Sequence, residues 1–456
     1  NECCGQIIDI GGAWEVKCPQ GCSCEVQRFA DLPLHRWIRT SQDQTISSDI
    51  DLELGLNMDH SMITEFLKVA ICVVAEDYEE LLEKLPSDIQ IFTILESGVG
   101  DFDILLQSTT FQRFTDLISL DIQGIDYNEP GRKDFNSKRR KQGGIVLSVD
   151  SLYPLGLNLL YLNLERVKLT SLSPTKRNKA NLVIKPINTI IEEENRSKQL
   201  LNTGHRLIFL SQQNSDDSND KEILPYDIYK QEMEGYKETV GLFTGLGTLT
   251  HLRVYDCSLQ DITWHMFDGL NSLIHLSLEK NNLKFIPEFC FYGTPNLKVL
   301  SLASNQLLTL KSVDLAENVK RIDLSNNELE FIPPGLFGVQ QQKKLKEIIL
   351  SNNRLTLLPF DFFKMLRCPN KQSQLTTVRL DGNPWDCTCS MITWNPQLVN
   401  RLRETAPRCS TPKRLRNWGV FHALRKGGLQ CRGLKRRHLK KSSTGSNTYE
   451  DNNIIS

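Results

Sequence analysis

The chain has 456 residues, of which 39% are hydrophobic, and its formal net charge at pH 7 is -1. This content can bury a long core, but no apolar run approaches the roughly 20 residues that a membrane-spanning helix requires. The small net charge conceals an asymmetry, because the interval from Asp43 to Asp103 holds 15 acidic residues and only two lysines. The interval from Thr411 to Lys441 holds 11 Lys or Arg residues and no acid, so the two ends are expected to attract different partners.

Residues 1–60 form a cysteine-rich N-terminal region. Its cysteines are Cys3, Cys4, Cys18, Cys22 and Cys24, the last three within the run CPQGCSC. Thirteen cysteines that cluster at the two ends of the chain indicate an oxidising compartment. A dense cysteine cluster can alternatively bind zinc, but His35 is the only nearby histidine, so disulfides are favoured and no metal site is predicted.

Residues 61–245 carry a weak repeat. Short apolar rows begin at Ile89, Leu117, Leu159 and Leu207. From Leu117 onward, successive row starts are 42, 48 and 42 residues apart, the last step ending at Leu249. Either a degenerate turn lies in each interval, or loops project from a regular coil. The sequon Asn195-Arg196-Ser197 predicts a glycan on a surface loop of this region.

Residues 246–383 contain six regular rows with apolar residues at positions 1, 4 and 6. The rows begin at Leu249, Leu273, Leu297, Val319, Leu345 and Leu375. Three residues after the last apolar position of each row stands Cys257, Asn281, Asn305, Asn327, Asn353 or Asn383. Phenylalanines precede the rows at Phe111, Phe243, Phe267, Phe291, Phe337 and Phe363. An asparagine side chain in a turn can satisfy backbone groups of neighbouring turns, and a buried thiol can replace it.

These rows resemble the leucine-rich repeat, whose period of roughly 20–29 residues includes the 24-residue spacing of the first three rows. The resemblance implies an α/β leucine-rich-repeat solenoid. It would have a curved parallel β-sheet on the concave face, an irregular or short helical convex side, and disulfide-bonded caps. The phenylalanines are expected to stack on the convex side, where they bury area between turns.

Residues 384–431 closely resemble the cysteine-rich C-terminal cap of extracellular leucine-rich-repeat proteins. The run NPWDCTC begins at Asn383, and Trp394, Cys409 and Cys431 follow it. The resemblance implies the pairs Cys387–Cys409 and Cys389–Cys431, with Trp385 and Trp394 covering the last apolar turn. Residues 432–456 have almost no apolar content and are predicted to be a disordered basic and polar tail.

The run CPQGCSC resembles the N-terminal cap of the same family, which implies the pair Cys18–Cys24. The fourth cysteine of that cap is missing from its expected place, which leaves Cys3, Cys4 or Cys72 as the partner of Cys22. Because 13 is an odd number, at least one cysteine is unpaired or intermolecular. Cys257 is the first candidate for a free thiol, and Cys290 and Cys368 are too far apart along the repeat to bridge each other easily.

The variable positions of the rows supply candidate ligand-binding residues for the concave face. They are His251, Arg253, His275, Lys298, Lys320, Arg321, Lys346 and Arg379. The three lysines and Arg321 are predicted to form a basic stripe. His251 and His275 occupy the third position of successive rows, so they are expected to face solvent side by side, about 5 Å apart. No third ligand follows in their column, so a metal ion is not predicted.

The sequence contains no phosphate loop, nucleophile elbow or HExxH motif, and neither an enzyme nor a cofactor is predicted. The resemblance implies a secreted, non-enzymatic protein that binds an extracellular protein ligand or receptor in developmental or cell–cell signalling. Asn1 in place of Met suits a chain whose signal peptide has been removed, or a chain that has been shortened artificially.

Two alternatives stay open: the ectodomain of a membrane receptor or adhesion protein, and a structural matrix protein that binds glycosaminoglycans. In an extracellular setting the basic C-terminal end predicts a sulfated glycosaminoglycan, and not nucleic acid, as its polyanion.

Overall fold

A computed structural model describes most of the repeat region, a short part of the N-terminal region and most of the C-terminal cap. The described residues are 18–28, 66–75, 78–98, 103–125, 143–169, 175–176, 239–263, 266–287, 290–310, 318–333, 336, 344–360, 362–366, 374–399, 404–425, 429 and 431. The expectations for Cys3, Cys4, Asn195, Phe337, Cys368 and the tail 432–456 concern residues outside these ranges.

The described elements are short strands and shorter helices. The strands are β1 (Cys22–Arg28), β2 (Phe66–Val74), β3 (Ile91–Glu96), β4 (Ile104–Leu106), β5 (Ser119–Gln123), β6 (Ile145–Leu147), β7 (Tyr161–Glu165), β8 (Lys168–Leu169), β9 (Thr175–Lys176), β10 (Thr239–Val240), β11 (His251–Tyr255), β12 (His275–Ser277), β13 (Val299–Ser301), β14 (Arg321–Asp323), β15 (Glu347–Ile349), β16 (Thr377–Arg379), β17 (Trp385–Asp386) and β18 (Cys409–Thr411). The α-helices are α1 (Tyr78–Glu83), α2 (Ser108–Phe111), α3 (Phe362–Met365) and α4 (Val420–Arg425).

An 11-stranded sheet runs through the described part of the chain in the order β1-β2-β3-β5-β7-β11-β12-β13-β14-β15-β16. β1 is antiparallel to β2, and the following pairs are parallel. The fourth residue of each row points into one continuous core, as Leu252, Leu276 and Leu300 do in register. Each row therefore forms one turn of a coil, and the predicted leucine-rich-repeat solenoid is confirmed.

The asparagines after the rows hold successive turns together, as the sequence predicts. In the turn of Asn305, the side-chain Oδ1 accepts the N–H of Leu283 at 3.2 Å. Its Nδ2 donates to the carbonyl of Leu278 in the preceding turn at 2.9 Å and to that of Leu302 in its own turn at 3.1 Å. Cys257 takes the same place with a weaker contact, its Sγ lying 3.4 Å from the carbonyl oxygen of Leu164.

Phenylalanines stack along the other side of the coil. The rings of Phe243 and Phe267 are 6.2 Å apart, those of Phe267 and Phe291 are 6.0 Å apart, and both pairs are nearly parallel. All three rings are buried. The predicted spine is confirmed for these residues.

The convex side of the early turns is more regular than the sequence suggests. β4, β6 and β8 form a second parallel sheet of three strands, each following a strand of the main sheet. α1 and α2 lie in connections of the same region, with Leu82 and Phe111 buried.

The long intervals between early rows are connections within single turns. β5 pairs directly with β7, and β7 pairs directly with β11, so no further strand of the main sheet lies between them. The predicted row at Leu207 lies outside the described residues. β9 and β10, which precede and follow this stretch in the sequence, pair antiparallel.

The described residues form four disulfides, two near each end of the sheet. Cys18 is bonded to Cys24, and Cys22 to Cys72. The partner of Cys22 is thus a cysteine of the first parallel strand, because β1 lies antiparallel to β2 with Cys22 opposite Cys72. In the C-terminal cap the pairs are Cys387–Cys409 and Cys389–Cys431.

Two tryptophans cover the last turn of the core. The rings of Trp385 and Trp394 meet edge to face at 4.9 Å, and both are buried. Trp385 Nε1 donates to the carbonyl of Leu380 at 2.8 Å. The cap therefore closes the apolar end of the coil without leaving the indole N–H of Trp385 unsatisfied.

Candidate concave-face interface

The concave face of the solenoid is built from the third and fifth positions of the rows. Side chains alternate between the two faces of a strand, so these positions lie opposite the core. In sheet order the third positions are Val69, Ile91, Ser119, Tyr161, His251, His275, Val299, Arg321, Glu347 and Thr377. The fifth positions are Ile71, Thr93, Asp121, Asn163, Arg253, Ser277, Ser301, Asp323, Ile349 and Arg379.

The N-terminal part of this face is apolar. Leu67, Val69, Ile91 and Tyr161 form a buried cluster that is separate from the main core. Burial raises the pKa of the Tyr161 hydroxyl to about 12, so this residue is neutral at physiological pH. These four side chains are at most 5% exposed, so they stabilise this end of the sheet and are not accessible to a partner.

A network of hydrogen bonds fixes Arg253 at the centre of the face. Its Nη1 donates to Asn163 Oδ1 at 2.9 Å and to Glu165 Oε2 at 3.0 Å. Its guanidinium lies over the ring of Tyr255, 3.9 Å from the ring centre. Asn163 in turn donates to Asp121 Oδ1 at 2.6 Å. A guanidinium held from two sides loses little entropy when a ligand binds it.

Asp121 is the most perturbed carboxylate of the network. Burial raises its pKa to about 6, although hydrogen bonds from Asn163 and Gln123 oppose the shift. Asp121, Asn163 and Glu165 belong to early rows whose columns the sequence leaves unassigned. Extending the register of the regular rows back to Leu117 and Leu159 identifies them.

The histidine pair differs from its expected environment. The rings of His251 and His275 are adjacent, with centres 5.7 Å apart, but both residues are buried and do not face solvent. Tyr161 lies 5.1 Å from His251 on its other side. Burial lowers the pKa of His251 to about 4, and burial together with His251 and two nearby arginines lowers the pKa of His275 well below its ordinary value. Both are therefore neutral at physiological pH.

Two buried hydroxyls follow Arg253 in the fifth column. Ser277 and Ser301 occupy successive strands in register, and each is at most 3% exposed. Neither Oγ has a hydrogen-bond partner among the described residues. A buried hydroxyl without a partner costs free energy, and burial keeps both hydroxyls away from a ligand at the surface.

The C-terminal end of the face carries a buried carboxylate between two arginines. Arg321 Nε lies 3.3 Å from Glu347 Oε2, and Arg379 Nε lies 3.6 Å from Glu347 Oε1. Glu347 and Arg379 are buried. Two of the candidate cations are therefore engaged by a carboxylate of the same sheet.

The three lysines of the predicted basic stripe follow one another in successive turns. Lys298, Lys320 and Lys346 stand directly before β13, β14 and β15. The carbonyl of Lys298 accepts the N–H groups of Lys320 and Arg321, at 2.7 and 3.1 Å. Lys298, Lys320 and Lys346 occupy the second position of their rows, and Arg321 occupies the third position of the row that holds Lys320. Lys346 is also buried.

The described residues contain no group of three or more His, Cys, Asp or Glu side chains that could hold a metal ion. No helix among them is long and apolar enough to cross a membrane.

Comparisons with known proteins identify the repeat. Models of the leucine-rich repeat match residues 242–315, 318–339 and 344–366. No curated protein matches the sequence.

Two solved structures illustrate the structural neighbours. A chain in an octameric complex of latrophilin 3, Unc5D and FLRT2 is 18% identical with a TM-score of 0.45, and the alignment covers 74% of this chain and 76% of that one. A chain in a complex of TLR13 with ssRNA13 is 16% identical with a TM-score of 0.43, and the alignment covers 77% of this chain and 36% of that one.

Proposed function

We propose that this chain, which belongs to the leucine-rich-repeat family, is a secreted, non-enzymatic protein that binds an extracellular protein ligand or receptor through its concave face. The observation that carries the proposal is the fixed polar centre of that face. Arg253 is held by Asn163, Glu165 and Tyr255, and its side chain remains 16% exposed. Preordered side chains of this kind favour binding of a protein surface.

The disulfides support a location outside the cytosol. The described residues form four disulfides near the two ends of the sheet, and disulfides persist in oxidising compartments. Secretion with an N-glycan at Asn195 and a role in developmental or cell–cell signalling complete the proposal. A receptor or adhesion ectodomain, the alternative, would use the same concave interface.

A binding screen against a library of extracellular ectodomains tests the proposal, with two Thr→Arg variants as a matched pair. Thr377 lies at the accessible C-terminal end of the third column, whereas Thr115 is exposed in the turn before β5, outside the strands of the sheet. Thr377→Arg is expected to weaken binding of a captured ligand at least about tenfold, since a bulky charge inside an interface costs more than about 1.4 kcal/mol. Thr115→Arg is expected to leave the affinity unchanged. Equal effects of the two variants would exclude the concave face as the interface.

The basic end of the C-terminal cap supports a second interaction, with sulfated glycosaminoglycan. Lys413, Arg414, Arg416 and Arg425 are exposed on the 3-10 turn after β18 and on α4. Clustered exposed cations bind polyanions through charge attraction that salt screens.

A further inference from the structure

An exposed apolar stripe runs along the side of the solenoid, away from both the core and the concave face. It consists of Phe285, Leu308, Phe331 and Leu357, which are 38, 47, 54 and 44% exposed. Phe360, at the C-terminal end, is 72% exposed. A contiguous apolar row across successive turns is uncommon on a monomer and marks an interaction surface.

The register of the turns places these residues next to one another. Three equivalent backbone hydrogen bonds join neighbouring turns. The N–H groups of Gln306, Glu328 and Arg354 donate to the carbonyls of Leu283, Leu307 and Leu329, respectively. Counting forward from these aligned positions, Phe285, Thr309, Phe331 and Leu357 share one column. The adjacent column is Lys284, Leu308, Glu330 and Thr356.

The two columns are complementary to themselves about the turn of Leu308. Lys284 and Phe285 lie one turn before it, and Glu330 and Phe331 lie one turn after it. All four are exposed, and neither Lys284 nor Glu330 forms an ion pair with another described residue. Consider a two-fold axis that lies in the plane of this surface, passes over Leu308 and is perpendicular to the direction in which the turns stack. Rotation about it places Lys284 and Phe285 of one copy opposite Glu330 and Phe331 of a second copy.

We propose that this lateral stripe is the interface of a homodimer in which the two solenoids run antiparallel. Lys284 of each copy then pairs with Glu330 of the second copy, Phe285 packs on Phe331, and Leu308 meets its own counterpart. In such an isologous interface every contact occurs twice, so both charge pairs form at once. Asp261 and Leu357 oppose each other at the rim, where solvent remains.

The size of the stripe predicts a weak dimer. Its four turns, at about 4.8 Å each, form only the centre of an interface of standard area, which buries about 800 Å² per partner. Because a weak dimer dissociates at low concentration, its association has to be measured at protein concentrations up to about 100 µM.

Sedimentation or light scattering of the full chain tests the proposal, and the expected result is a concentration-dependent doubling of the 52.1 kDa mass. Lys284→Glu places two like-charge pairs in the interface, as does Glu330→Lys. Each single variant is expected to raise the dissociation constant at least about tenfold. The variant that carries both substitutions restores both pairs and is expected to dimerise as the wild type does.

Mixing the two single variants provides a second check that does not depend on folding of a double variant. Lys284→Glu chains present two carboxylates and Glu330→Lys chains two ammonium groups, so the mixture is expected to form heterodimers although neither variant self-associates. Glu404→Lys, an exposed charge reversal in the C-terminal cap, is the control and is expected to leave dimerisation unchanged.

Three outcomes would overturn the proposal: a monomer at every concentration, a dimer that tolerates both single reversals, or no association in the mixture.

Discussion

Replacing Asn305 by leucine is expected to lower the free energy of unfolding by about 2–4 kcal/mol. The side chain is 6% exposed, and its Oδ1 accepts the N–H of Leu283. Leucine leaves that buried N–H without its acceptor, at a cost of about 1–3 kcal/mol. The bonds from Nδ2 to the carbonyls of Leu278 and Leu302 are also lost, which adds about 0.5–1.5 kcal/mol net.

Equilibrium unfolding in urea, followed by circular dichroism, measures this change. Asn305→Cys introduces the residue found at the equivalent position Cys257. It is expected to lower the free energy of unfolding by less than Asn305→Leu does, but still below the wild type, because sulfur makes fewer and weaker hydrogen bonds than the amide. Asn296→Ala is the control: its Nδ2 donates to the carbonyl of Asn271 at 2.8 Å, but at an exposed site. A surface bond of this kind changes stability by within about 0.5 kcal/mol. The reasoning is refuted if Asn305→Leu unfolds at the same urea concentration as Asn296→Ala.

Three further predictions concern the caps and the polar network. Cys389→Ser breaks the bond to Cys431 and is expected to cost about 2–5 kcal/mol, with less secreted protein and faster proteolysis. Lys413→Ala combined with Arg414→Ala is expected to shift elution from heparin to lower salt, because exposed cations contribute to retention. Asp121→Asn is expected to remove a stabilisation that the wild type gains as pH falls from about 7 to 4. Burial raises the pKa of Asp121 from 3.8 to about 6, so the folded state holds a proton that the unfolded chain releases in that interval.

Each has a matched control. Cys290→Ala removes a buried thiol that is not disulfide-bonded, and protease resistance equal to that of Cys389→Ser would contradict the cap prediction. Lys84→Ala changes an exposed lysine near the acidic end. If it shifts elution from heparin as much as the double variant at Lys413 and Arg414 does, the basic cap is not the heparin-binding site. Burial lowers the pKa of His251 from 6.5 to about 4, so this residue makes the folded protein less stable as the pH falls below 6.5. The Asp121 effect is therefore the difference between wild type and variant, and a difference that does not change with pH would contradict it.

The repeat could be predicted from sequence because each of its determinants lies within a single turn. The apolar residues of a row, the asparagine after it and the phenylalanine before it are set by contacts with equivalent residues one turn away. Thus Phe267 packs between Phe243 and Phe291, which lie 24 residues to either side. A period in the sequence directly reports contacts of this kind.

Connections and side-chain environments could not be predicted in the same way. Loop-closure entropy rises slowly with length, so one turn can include the 90-residue step from Tyr161 to His251, which are paired in adjacent strands. Burial of His251 depends on Tyr161 and His275 on neighbouring strands, and no single row contains that information. The bond between Cys22 and Cys72 likewise depends on the antiparallel register of β1 and β2.

The concave face and the lateral stripe occupy different sides of every turn, and this separation has a consequence for affinity. The concave face uses the third and fifth positions of a row, such as Arg253 and Ser277, whereas the stripe uses positions after the asparagine, such as Lys284 and Phe285. Because the two sets share no residue, a dimer formed through the stripe presents two concave faces. Linking two sites raises apparent affinity for an immobilised ligand without any new contact, provided that both sites can engage. Lys284→Glu should therefore weaken capture by a ligand-coated surface while leaving the affinity of each site for a soluble, monovalent ligand unchanged.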